Sequence, residues 1–180
     1  QCPDPAFRDG ILKLADRAIE LNDGSAAAYA VRALHHFARE NHRSALADLK
    51  KAAEGPKAGY YVQYQTALLL LEIGEVTEYR KACRQMLQRF ADSENTSELH
   101  FTAWTCALAP DALDDYTPAL ALARRGLEID PENMQYQNGL GAVQMRAGRY
   151  AEALASFSQA ADGAENTNTS DAYAVYFQAM

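Results

Sequence analysis

Few side chains in this sequence have the type and spacing that chemistry needs. His35 and His36 are adjacent, so on a helix they leave different sides, and His42 follows in a turn. Their spacing does not make a zinc site, and they read as solvated helix histidines. Asp111, Asp114 and Asp115 form a small acidic turn. A calcium loop needs more oxygen donors and a turning glycine, so this is a solvated loop with N-capping carboxylates. Cys83 and Cys106 fall at helical packing positions and read as buried small hydrophobes rather than nucleophiles. Glu152 and Arg149 are solvent-face charges around a turn. No GxSxG, Walker-type or GxGxxG loop occurs. The expectation is a chain that is not an enzyme, with no cofactor and no metal. Asn95-Thr96-Ser97 and Asn168-Thr169-Ser170 match the glycosylation triplet but read as ordinary polar loop residues.

The elements that carry these residues come from the whole chain. Its 180 residues suffice for one domain or one continuous repeat array. Apolar residues make up 48% and charged residues 23%, which excludes disorder of the whole chain. The net charge of −7 argues against a nucleic-acid surface, which needs clustered Lys and Arg, and permits a basic partner. No apolar run is long enough to span a membrane. Three scattered cysteines make no disulfide framework and favour a reducing compartment. With no targeting segment visible, a cytoplasmic location is expected. The six prolines and ten glycines mostly separate periodic segments, as in helices joined by short turns.

The helices repeat. The clearest unit, Met134 to Asp162, carries Leu140-Gly141, then Gly148-Arg149-Tyr150, then Ala153, Phe157 and Ala160. Gly141 and Ala153 allow two helices to approach closely, and Gly148 ends the first helix in a left-handed conformation. Tyr150 and Phe157 are expected to fill the space between helices. Sites equivalent to Ala160 fall at Gly126, Met86, Ala52 and Ala18, in backward steps of 34, 40, 34 and 34 residues. Met86 stands where the others are small. The long step places two extra residues near Asn95 and four in the turn 109–114.

This pattern resembles the tetratricopeptide (TPR) repeat over nearly the whole chain. The resemblance implies an all-α fold: a right-handed superhelical solenoid of antiparallel helix pairs, about ten helices here. The expected parts are an orphan second helix at 1–24, repeats at 25–57 and 58–93, an enlarged repeat at 94–131, a repeat at 132–167, and the start of a truncated repeat at 168–180. Residues 2–9 echo the turn 109–115, so both ends read as cut and the chain reads as part of a longer protein. The stretch 103–111 also resembles tracts in large multidomain bacterial proteins with kinase or β-propeller modules.

The resemblance further implies that first helices line a concave groove for a peptide, a partner's helix or a domain. Carried over residue by residue, that lining is Ala30, Leu34 and Phe37; Tyr61, Tyr64 and Leu68; His100 and Trp104; Gln135, Asn138, Ala142 and Met145; and Tyr173 and Tyr176. It is aromatic, amide-bearing and nearly uncharged, the composition of binding hot spots. The carboxylate clamp that holds chaperone tails needs Lys and Asn where this chain has Ala30, Leu34 and Gln65, so that subtype is excluded. The expected function is a protein–protein interaction scaffold. The alternative is a structural spacer, with weak self-association through the truncated ends.

Overall fold

The computed structural model describes residues 5–23, 25–54 and 59–167, with side chains from Gly10 to Gly163. The expected helix at 170–180, and with it Tyr173 and Tyr176, lies outside the described residues. Those residues form nine α-helices and no strand: α1 (Pro5–Leu21), α2 (Ala26–Phe37), α3 (His42–Glu54), α4 (Tyr60–Glu72), α5 (Val76–Arg89), α6 (Thr96–Ala107), α7 (Thr117–Ile129), α8 (Met134–Arg146) and α9 (Tyr150–Thr167).

Local chemistry sets the helix ends. Ser25, Asn95 and Asn133 cap α2, α6 and α8. The Asn95 side chain accepts from the Ser97 and Glu98 amides at 3.0 and 3.2 Å. Gly74 and Gly148 take left-handed φ of 76° and 73°, closing α4 and α8 with Glu75 N–H···O Leu70 and Arg149 N–H···O Gln144 bonds of 2.8 and 2.9 Å. Glu40 adopts the same left-handed conformation after α2, with φ 58° and an Asn41 N–H···O His36 bond of 2.9 Å.

The chain divides into two compact units, Gln1–Glu78 and Tyr79–Met180. In the first, α2 packs on α1 and α3, and α3 packs on α4. Ala33, Ala45, Leu49 and Leu69 form the core, flanked by Leu46, Val62 and Ile73. Arg32 ties three helices together. Its guanidinium grips Asp48 of α3 at 2.8 and 2.7 Å and reaches Asp16 of α1 at 3.0 Å. His35 is buried, unlike the solvated histidine expected, because it faces inward from α2; His36 is half-buried, 3.7 Å from Asp48.

In the second unit, α6 pairs with α7, α8 with α9, and α8 packs on both α6 and α7. Tyr79 of α5 anchors the enlarged segment: its hydroxyl donates to the Thr105 carbonyl at 2.6 Å and accepts from the Ala109 amide at 3.2 Å. The residues after α6 form a packed turn, with Ala112, Leu113 and Tyr116 buried and the three aspartates outside. The Tyr116 hydroxyl accepts from the Ala112 amide at 3.1 Å, and Arg146 donates to the Ala107 carbonyl at 2.8 Å. Asp115 accepts from the Thr117 amide at 2.8 Å from one position before the α7 N-cap, which is Tyr116 and has no side-chain cap of its own. Cys83 and Cys106 are both fully buried. The hydrogen bond to Cys83, and then burial, raise the Cys106 thiol well above its ordinary pKa, so it stays protonated.

The close approach expected at Gly141 is present: a Cβ there would lie 2.7 Å from the Phe157 ring. Phe157 is buried in the α8–α9 seam, but Tyr150 is exposed, because as the first residue of α9 it lies beyond the seam. Gly141→Ala is expected to destabilise this unit by about 1–2 kcal/mol: overpacking against a buried ring outweighs the helix propensity that alanine gains. Urea unfolding followed by circular dichroism checks the sign; a stabilised variant would show that the seam yields.

Candidate functional site

The first unit holds an apolar cleft of about 260 Å³ between α2 and α4. Ala33, Leu49 and Leu69, all buried, form its floor, and Leu34, Phe37 and Leu68 form its walls. The walls are 54%, 47% and 39% exposed, far more than core leucines and phenylalanines. Gln65 and Glu72 supply the polar rim. The helical period explains the arrangement: Leu34 and Phe37 are three residues apart on α2, and Gln65, Leu68 and Glu72 lie three and four apart on α4. The His42 ring stands edge-on to Phe37 with centroids 5.6 Å apart. Tyr61 is exposed and Tyr64 half-buried, with rings 5.9 Å apart on the same helix. Ala30 is half-buried on α2.

In the second unit the expected lining residues take different roles. His100 of α6 sits between Trp104, stacked at 6.1 Å, and Tyr136 of α8, at 4.9 Å. A Cβ on Gly139 would lie 2.9 Å from its Nδ1, so glycine is what lets the imidazole lie against α8. His100 is half-buried and packs between α6 and α8. Trp104, Asn138 and Met145 are half-buried, Gln135 is exposed and Ala142 is fully buried. Gln65, Glu72 and Tyr136 were missing from the expected lining. The i, i+3, i+4 spacing of Gln65 and Glu72 around Leu68 is the signal that places them beside it.

Burial lowers the His100 pKa from 6.5 to about 4. The imidazole is therefore neutral in the folded unit at neutral pH. Because the unfolded chain binds the proton first, stability falls as pH drops from about 6.5 towards 4, by about 2–3 kcal/mol. Unfolding curves across that window should show His100→Gln flattening this dependence; an unchanged slope would place the titration elsewhere.

Among the described residues, no group of three or more His, Cys, Asp or Glu is placed to hold a metal ion. No helix there is long and apolar enough to cross a membrane.

No protein-family model matches the sequence, and no curated protein matches it. Solved structures do share its fold. YrrB, a TPR protein with an unusual peptide-binding site, is 15% identical with a TM-score of 0.63, over 97% of this chain and 85% of that one. MamA from Desulfovibrio magneticus RS-1 is 12% identical with a TM-score of 0.60, over 90% and 88%. The TPR-like repeats of a putative kinesin light chain from Podosopora anserina are 16% identical with a TM-score of 0.59, over 88% and 88%. At such identities the likeness concerns architecture, and the architecture is the all-α fold of TPR-type helical solenoids.

Proposed function

We propose that this chain is a protein–protein interaction scaffold whose first-unit cleft receives a peptide or a partner's helix. The observation that carries this reading is the convergence of Leu34, Phe37 and Leu68 on one cleft while each keeps more than a third of its surface exposed. Large apolar side chains gathered at an open concavity, with an amide and a carboxylate at the rim, form the composition of a recognition site. The peptide site of YrrB is a precedent on the same fold. The scaffold is read as repeats at 25–57, 58–93, 94–131 and 132–167 within a larger multidomain protein. Gln135, Asn138, Met145, Trp104, Tyr173 and Tyr176 are proposed as recognition residues of the second unit by itself, and Tyr61 and Tyr64 as those of the first beside Leu68.

The test is an array of random peptides of about twelve residues probed with the full chain and with Leu68→Asp. A buried charge in the cleft wall should weaken retained peptides by at least about tenfold, while helical circular dichroism is unchanged. Equal retention by both proteins would move recognition away from the cleft. An array that retains nothing would favour the spacer reading.

A further inference from the structure

The cleft is not electrically uniform. Among the described residues that line it, Glu72 is the one ionisable side chain. It lies at the end where both helices stop: Phe37 is the last residue of α2 and Glu72 the last of α4. The partial negative charges of the α2 and α4 C-termini are offset by the N-termini of α3 and α5, which begin at His42 and Val76 just after them, so the Glu72 carboxylate is the charge that marks this end of the apolar slot. The opposite portion is apolar over Ala33, with the neutral amide of Gln65 at the rim. The chain as a whole carries −7. At about 260 Å³ the slot is smaller than the roughly 300–1,000 Å³ pockets that enclose drug-sized ligands. It has room for one or two side chains.

We infer that the occupant is a cationic–apolar peptide segment, with a leucine-, methionine- or phenylalanine-sized side chain between Leu34, Phe37 and Leu68 and a neighbouring lysine or arginine at Glu72. This rests on the reading of the cleft as a peptide site. The apolar anchor supplies affinity by leaving water, and the cation sets the segment's direction by choosing the end where the helices stop. An acidic segment meets repulsion at that end, so the site discriminates by charge as well as by shape.

The random-peptide array separates the two readings when Glu72→Gln and Glu72→Arg are run beside Leu68→Asp. The inference expects peptides retained by the native chain to be enriched in Lys or Arg within about four residues of a large apolar residue. Glu72→Gln should weaken them about two- to fivefold, as for an exposed ion pair. Glu72→Arg should reverse the charge preference. Raising the salt should narrow the gap between the native chain and Glu72→Gln. Retained peptides that are lost with Leu68→Asp but are neutral or acidic, and indifferent to Glu72→Arg, would overturn the charge assignment and leave the cleft reading standing. Retention indifferent to Leu68→Asp would overturn both.

Discussion

Met86→Ala is expected to lower the unfolding free energy of the second unit by about 3 kcal/mol, within the range for truncating a buried methionine. Met86 is fully buried. Its equivalents by repeat spacing are Ala18, Ala52, Gly126 and Ala160, all small; the last three are buried and Ala18 is half-buried. At this position an unbranched thioether fills irregular space that alanine would leave empty. The reverse substitution, Ala160→Met, should also destabilise, by about 1–3 kcal/mol, since Ala160 is buried and a methionine there overpacks its surroundings. Chemical denaturation of the two variants beside the native chain decides this. A Met86→Ala variant as stable as the native chain would show that α5 settles inward and closes that space.

Arg32→Ala is expected to destabilise the first unit by about 3 kcal/mol. The Asp48 side chain is only 7% exposed and Arg32 is 25% exposed, so alanine leaves a carboxylate in the α2–α3 seam without its bidentate partner. The hydrogen bonds to Asp48 hold the guanidinium above its ordinary pKa, so Arg32 carries its charge throughout the stable pH range. Asp16 is 47% exposed, and its loss should matter less, by under about 1 kcal/mol. Arg32→Lys should recover only part of the stability, because an ammonium cannot make the paired contact. The double variant Arg32→Ala/Asp48→Ala should be more stable than Arg32→Ala alone. A double variant that is worse than either single one would assign the loss to packing of the arginine stem rather than to the stranded carboxylate.

The fold was legible because it repeats. Gly148 and Gly141 announced a left-handed helix end and a close helix contact, and each has a local cause that needs no knowledge of the rest of the chain. The same spacing hid Glu40, where a charged residue takes the left-handed conformation that Gly74 takes 34 residues later. His35 and Arg32 were also opaque. Their burial and pairing depend on where α1 and α3 lie across α2, which a single helical period cannot supply. The site was legible in its walls, Leu34, Phe37 and Leu68, since large apolar residues on a first helix must either pack or face a partner. His100 shows the limit of that inference. The face that holds it is shared between α6 and α8, and Gly139 is what makes room for the ring, so its burial is decided by a residue on another helix.

The most direct measurement for the cleft is a methyl-resolved NMR titration of the isotope-labelled chain with an array-selected peptide. Leu34, Leu68 and Leu69 should shift together and saturate at one peptide concentration. Leu21 and Leu154, at 72% and 61% exposed, are more open to solvent than Leu34 and Leu68 and should stay still. Shifts confined to Leu21, Leu154 or the second unit, with Leu34 and Leu68 unmoved, would contradict the assignment of the cleft as the recognition site.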